Sequence, residues 1–200
     1  MARADVADAY DARADEYVEK LGSVQQMADR DRVTIEQWRD TLAGRLLDAG
    51  CGPGHWTDVL SKSGRRDVVG IDASSRFLES ARHRFPGNQF VMGDLAALPI
   101  RSRSVDGILA WYSIIHTPKE DLPQILREFA RALAPGGSLL LGFADGEPGA
   151  AFEHAVTTAY SWSAEALTDL LHPLGFLVER AETRSDPDAR RKHGELLAGR

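Results

Sequence analysis

Apolar and polar positions follow two rhythms along this chain. From about residue 4 to 21, Val6, Tyr10, Tyr17 and Leu21 recur at helical spacing within a run rich in Ala, Asp, Glu, Arg and Lys, and Gly22 is suited to end that helix. A second helical stretch covers about 24 to 42, with Val24, Met27, Ile35, Trp38 and Leu42 turned inward and Gly44 as punctuation. The rhythm then changes to short apolar runs separated by amphipathic segments. The runs predict strands at Arg45–Ala49, Asp67–Asp72, Gln89–Met92, Val105–Trp111 and Ser138–Phe143. Between them lie three predicted helices. One opens at His55 and runs to Leu60, one is capped by Ser74 or Ser75 and stopped near Arg84 by Pro86-Gly87, and one covers about Lys119 to Leu133 before Pro135-Gly136-Gly137. Short apolar strands alternating with helices predict a parallel sheet covered on both faces.

After Asp145 the pattern breaks. Gly146 to Ser161 reads as a weakly helical piece behind a Gly/Pro turn, followed by a helix over Ser163–His172 and a strand over Phe176–Glu182. Ser185 to His193, charged and containing Pro187, reads as an exposed loop, and Gly194–Ala198 as a short last strand.

Composition narrows the function classes. The chain has 200 residues, enough for one α/β domain with a real core, and 43% of them are apolar. It has no run of about 20 apolar residues to span a membrane, and Met1-Ala2-Arg3-Ala4-Asp5 is charged where a leader would be apolar. The single cysteine, Cys51, excludes an internal disulfide framework and fits a reducing cytoplasm. A formal net charge of -6 argues against a nucleic-acid partner. The basic clusters at Arg101, Arg103, Arg190, Arg191 and Lys192 read as solvated loop charge. His55, His83, His116, His154, His172 and His193 are scattered singly, with no metal-ligand spacing.

The chemistry concentrates at Leu46-Leu47-Asp48-Ala49-Gly50-Cys51-Gly52-Pro53-Gly54. An apolar strand delivers a carboxylate and then three glycines at every second position, a loop that turns sharply and lets a ligand approach the backbone. A dinucleotide loop would place its third glycine where this chain has His55, and a pyrophosphate gains nothing from Asp48 beside it. A ligand carrying an amine and a sulfonium does. The alternative for these residues is a strand-to-helix turn that needs glycine for sterics alone.

The segment Asp48–Gly54 resembles motif I of the class I S-adenosylmethionine-dependent methyltransferases. The resemblance continues in order through Asp72, Gly93-Asp94-Leu95, Trp111–His116, Leu133–Leu139 and Trp162–Phe176, covering about residues 44 to 182. It implies a Rossmann-like, doubly wound sheet, mostly parallel and seven-stranded, with helices on both faces and an antiparallel strand near the C-terminus. It implies S-adenosyl-L-methionine as cofactor and S-adenosyl-L-homocysteine as product. Asp48, Gly50, Cys51, Gly52 and Gly54 would cradle the cofactor, and Asp72, with Ala73 beside it, would hold the ribose hydroxyls. Asp94 and the backbone N–H of Leu95 would meet the adenine, and Trp111 would border the methionine portion. The acceptor would be a small molecule, with no nucleic acid and no membrane involved. His116, Tyr112 and His154 are the candidates for a general base. A non-catalytic adenosylmethionine-binding regulator and a nicotinamide-dependent oxidoreductase are the alternative readings.

Three segments follow from this reading: a helical cap over 1–43, a cofactor-binding core over 44–145, and a substrate-side insert with the rest of the sheet over 146–200. The cap is expected to act as a lid. Tyr10 and Tyr17 would face the cofactor, and Arg13 would reach a carboxylate of cofactor or substrate. Ordinary packing of that face against the sheet's helices is the competing reading.

Overall fold

The computed structural model describes residues 3–62, 67–185 and 191–200. The parallel half of the sheet is β1 (Leu46–Ala49), β2 (Val68–Asp72), β3 (Gln89–Met92), β4 (Val105–Trp111) and β5 (Leu133–Asp145). A two-stranded ribbon follows, β6 (Ala151–Phe152) with β7 (Ala159–Tyr160), and then β8 (Leu177–Arg184) and β9 (Lys192–Gly199). The seven sheet strands lie in the order β3-β2-β1-β4-β5-β9-β8. β9 runs antiparallel to both of its neighbours, so the expected fold class is the one observed. The helices are α1 (Arg3–Asp11), α2 (Ala14–Leu21), α3 (Asp29–Asp40), α4 (His55–Ser61), α5 (Ser75–Arg84), α6 (Leu122–Ala132) and α7 (Ala164–Leu171). Among the described residues no helix is long and apolar enough to cross a membrane.

Successive side chains on a strand point to opposite faces, and the central strands are apolar on both. Leu47, Ile108, Leu139 and Leu141 join one core with Phe129 of α6 and Leu167 of α7. Leu46, Leu109 and Leu140 join the other with Ile35 and Trp38 of α3 and Trp56 of α4. α6 supplies its share through Leu122, Ile125, Leu126 and Phe129, one helical face. Strand order reverses between β1 and β4. The crevice at their carboxyl ends is therefore the place where an α/β sheet of this kind takes a ligand.

Several local expectations are corrected. The first helix is two, α1 and α2, broken at Ala12-Arg13: Asp11 is drawn to Ser75 Oγ (2.9 Å) and the Arg76 N–H (3.2 Å) at the start of α5. Residues 24–42 begin with a 3-10 turn, Val24–Gln26, closed by reciprocal bonds between Ser23 and Gln26, and α3 starts only at Asp29. The helix expected from Lys119 starts at Leu122, because Pro118–Asp121 forms a turn. The segment 146–161 is bends and the ribbon, not helix. Its backbone bonds across the loop, Gly149 N to Ser161 O at 2.9 Å and Ser161 N to Ala150 O at 3.0 Å. Lys192 and His193 are not loop residues. They open β9, which is paired on both sides. Pro187 and Arg190 lie outside the described residues.

Candidate functional site

At the end of β1 the chain enters the glycine loop. A side chain at Gly50 (φ +77°) would put its Cβ 2.2 Å from the Cβ of Ser113, so only glycine lets the loop seat against the chain after β4. Gly52 (φ +50°) differs. A Cβ there would meet nothing nearer than Phe77 Cδ2 at 3.9 Å, so it would project into open space. The loop is tied down by Asp72 at the end of β2. One carboxylate oxygen accepts from the Gly52 N–H and the other from the Ser74 N–H, both at 2.8 Å. Burial nevertheless pushes the Asp72 carboxyl up.

That open space is a cavity of about 740 Å³ beneath α1 and α2. Tyr10, Tyr17, Gly50, Cys51, Gly52, Asp72, Ala73, Asp94, Leu95, Trp111, Tyr112, His116 and His154 all line it. Asp48, Gly54 and Arg13 do not. Asp48 is buried behind the loop, accepting from Thr57 Oγ1 at 2.7 Å. Gly54 packs against Phe90 and Ala81. Arg13, expected to reach a ligand carboxylate, pairs instead with Glu16 at 2.8 Å and donates to the Ala155 carbonyl. Cys51 is buried, which pushes its thiol well up and makes it a poor nucleophile. Asp94 accepts from the Ala96 N–H at 2.8 Å and so also shapes the turn after β3.

Two tyrosine–histidine couples face the cavity. In the first, His116 Nδ1 lies 2.8 Å from the Thr158 carbonyl, which can only accept. Nδ1 therefore carries the hydrogen, and Nε2 accepts from the Tyr10 hydroxyl at 2.8 Å. Burial lowers the His116 pKa and, with Tyr17 and Asp72 nearby, raises that of Tyr10, so both stay neutral and the bond holds. His154 stands beside His116, its ring 5.0 Å away, and burial, His116 and Arg13 bring it down to about 4.

In the second couple Tyr112, the residue after β4, bonds His193 Nδ1. Tyr112 sits at φ +57°, a left-handed conformation costing a non-glycine residue roughly 1–2 kcal/mol. The bond from its N–H to the Gly142 carbonyl (2.9 Å) holds it there. Beyond His193 lies a buried charge network. His193 Nε2 is 3.8 Å from Glu195, Arg184 reaches both Glu195 (3.9 Å) and Asp31, and Trp111 Nε1 donates to Asp31 at 3.3 Å. His193, chiefly, and Arg180 hold the Glu195 carboxyl below its ordinary range against the effect of burial.

Asp48 makes a measurable prediction. Burial pushes it up to about 7, with Asp72 adding to the shift and Thr57 opposing it. The folded value lies above the unfolded one of about 3.9, so the native state binds this proton more tightly. The associated stability is complete below the unfolded pKa and is lost as pH rises through the folded one. Asp48→Asn, which keeps an acceptor for Thr57, is expected to flatten the stability profile between about pH 4 and 7 by up to 1.4 kcal/mol per pH unit. Urea midpoints measured across that range check it. An unaltered profile would show that Asp48 is charged in the native state throughout.

Residues 46–137 match a family model described as "Methyltransferase domain". The chain is 36% identical over 141 residues to trans-aconitate 2-methyltransferase of Variovorax paradoxus (strain S110), a match covering 66% of this chain and 54% of that protein. Over these residues the chain is thus similar to methyltransferases. It is also 33% identical over 135 residues to malonyl-[acyl-carrier protein] O-methyltransferase of Erwinia pyrifoliae, covering 68% of this chain and 49% of the relative. The chain thus spans about half the length of these curated relatives. Its fold matches the crystal structure of magnesium protoporphyrin IX methyltransferase from Synechocystis PCC 6803 with bound S-adenosylmethionine. The TM-score is 0.79 at 19% identity, over 100% of this chain and 98% of that one.

The cavity also holds side chains that sequence reasoning passed over. His55 is buried with neither ring nitrogen bonded within the protein, and burial with Arg84 brings it down to about 4. Ser113 Oγ is likewise buried and unbonded. Asp31 lies one turn before Ile35 and two before Trp38, so a carboxylate on the inward face of α3 was the available signal.

Proposed function

We propose that this methyltransferase transfers the methyl group of S-adenosyl-L-methionine to a small-molecule acceptor and releases S-adenosyl-L-homocysteine. The observation that carries this reading is Gly52, whose missing side chain opens onto the cavity while its N–H is held by Asp72. A donor set of this kind suits the cofactor. Asp72 offers lone pairs to the two ribose hydroxyls, Asp94 and the Leu95 N–H flank the adenine, and the backbone of Gly50 to Gly52 lies along the amino-acid portion. When bound, the cofactor supplies an electrophilic methyl group whose departure leaves a neutral thioether. The protein's part is to align an acceptor and exclude water.

Charge supports the same choice. Asp8, Asp31, Asp72 and Asp94 line the cavity, and among the described lining residues there is no lysine or arginine. Such a cavity favours a sulfonium and disfavours a pyrophosphate, so nothing favours a nicotinamide. In this reading 1–43 caps the core at 44–145, and 146–200 completes the acceptor side. Tyr112 faces the acceptor as the candidate base, while His116, both of whose nitrogens are engaged, fastens the cap through Tyr10. The single cysteine and the acidic net charge support a cytoplasmic protein without a nucleic-acid partner.

Thermal melts with adenosylmethionine, adenosylhomocysteine and NAD test the cofactor, followed by an acceptor screen that reads adenosylhomocysteine release. Each true ligand at 100 times its dissociation constant is expected to add about 2.7 kcal/mol of stability. A shift with NAD and none with the other two would overturn the reading.

A further inference from the structure

The side chains behind Tyr112 form a line leading away from the cavity. Tyr112 lines the cavity, and its hydroxyl meets His193 Nδ1. Glu195, two residues along β9 and on the same side of the strand, faces the other ring nitrogen at 3.8 Å. At 3.8 Å the two are beyond hydrogen-bond reach and Nε2 has no hydrogen-bond partner, so a hydrogen on Nε2 would face this carboxylate and leave Nδ1 to accept from Tyr112. His193 and Glu195 are both buried, 4% and 3% exposed, in the middle of a sheet where an apolar pair would pack at less cost. The first couple, Tyr10–His116, has no such backing, since its histidine ends on the Thr158 carbonyl. Only the second couple can take up a proton and have the resulting charge met.

We infer that Tyr112, His193 and Glu195 form a proton relay that makes the site specific for a neutral acceptor carrying an ionisable hydroxyl, such as a phenol or enol, and not for a carboxylate. This rests on the proposed methyl transfer. As the acceptor oxygen uses a lone pair to bond the methyl carbon, the carbon–sulfur bond breaks with its pair going to sulfur, and one proton must leave the oxygen. That proton passes to Tyr112 Oη while the phenol proton of Tyr112 passes to His193 Nδ1. The imidazolium so formed lies against Glu195. A carboxylate acceptor is already ionised near neutral pH and has no proton for the relay to remove.

The surroundings are set for one added proton. The charged groups around His193 are Glu195 from β9, Arg180, Glu182 and Arg184 from β8, and Asp31 and Arg30 from α3. They pair as Arg184 with Asp31 and Glu195, Arg180 with Glu195 and Glu182, and Arg30 with Glu182. Three cations thus face three anions, and a proton on His193 takes the place of the positive charge that the sulfonium gives up, the methylated acceptor being neutral. A second observation agrees: the cavity lining has four carboxylates and, among the described residues, no lysine or arginine to hold an anionic acceptor.

The test uses the full-length protein loaded with adenosylhomocysteine, whose binding is first confirmed by calorimetry. Failure at that first step counts against the methyltransferase reading itself. The loaded protein is then titrated with a matched pair of probes, 4-nitrophenol and 4-nitrobenzoate. Nitrophenol is expected to bind at least tenfold more tightly than nitrobenzoate. Its apparent pKa, read from the phenolate absorbance, should fall by about one unit on binding, as expected for an anion formed beside a cation. His193→Gln and Glu195→Gln should keep adenosylhomocysteine affinity and a cooperative melting transition, at a lower temperature for Glu195→Gln, yet lose the ionisation shift, and Tyr112→Phe should lose it as well. If one glutamine variant fails to fold, the other carries the test. Nitrobenzoate binding as tightly as nitrophenol would overturn the proposal. So would absence of nitrophenol binding, or an ionisation shift that persists in a folded His193→Gln protein.

Discussion

Replacing Asp72 by alanine is expected to weaken adenosylhomocysteine binding by roughly 10- to 150-fold, the 1.5–3 kcal/mol associated with hydrogen bonds to a charged group. The side chain has two tasks. It lines the cavity where the ribose hydroxyls would bind, and it holds the glycine loop in register through the Gly52 and Ser74 N–H groups. Removing it loses both the direct bonds and the loop's preorganisation, so the effect belongs at the upper end of that range. Folding should survive. Burial already disfavours the charged carboxylate, and its removal relieves that cost at the same time as two N–H groups lose their partner. Calorimetry of the variant, with circular dichroism as the control for folding, decides the matter. A folded Asp72→Ala protein that binds as the parent does would refute the ribose assignment.

Deleting residues 1–22 is expected to separate a lid from a packing helix. Of the described residues removed, only Ala14 and Gly22 are buried, so the core of the sheet loses little. The ligand-free protein should lose on the order of 1 kcal/mol, or about 2–4 °C. What the segment does provide is a cover fastened at four points. Tyr10 bonds His116, Asp11 bonds Ser75 and the Arg76 N–H, Asp15 pairs with Arg76 at 3.1 Å, and the Gly22 carbonyl accepts from Arg84 at 2.5 Å. Tyr10 and Tyr17 also stack against Phe77, with centroids 5.4 and 5.1 Å away. Burial pushes the Asp11 carboxyl up, but the bonds from Ser74, Ser75 and Arg76 outweigh it and hold the group below its ordinary range. That fastening is complete above the ordinary carboxylate pKa and loosens as pH falls through the folded value. Without the cover, cofactor affinity should fall at least tenfold, about 1.4 kcal/mol, and transfer should nearly cease. Unchanged affinity and turnover would refute the lid. A collapse of the ligand-free melting temperature would assign the segment to the core.

Local pattern carried far in the parallel half. β2 and β4 are readable to within a residue because buried parallel strands are near-continuous apolar runs, and the glycine loop and Asp72 stand at the ends of β1 and β2 where ligand chemistry collects. Reading weakened after Asp145. The segment 146–161 reads as weakly helical because its backbone partners lie across the loop, outside any window of helical period. The last strand reads as only Gly194–Ala198, with Lys192 and His193 in a loop, because the charges at the start of β9 look solvent-facing until β5 and β8 close on both sides.

The sequence by itself determined the sheet class and most of the residues that ring the cavity, since each depends on neighbours within a few positions of the chain. Only the tertiary structure decided what stands behind them. Antiparallel insertion of β9 brings the start of that strand to the carboxyl end of β5, Ala144 opposite His193 and Gly142 opposite Glu195. It is this pairing that carries a histidine and a glutamate from the end of the chain to Tyr112, some 80 residues earlier. The same holds for Arg13, which a bend between two helices turned away from the cavity, and for His116, which Tyr10 and Thr158 engage from opposite sides. Contacts between residues far apart in the chain are set by strand order and helix placement, and no periodicity records them.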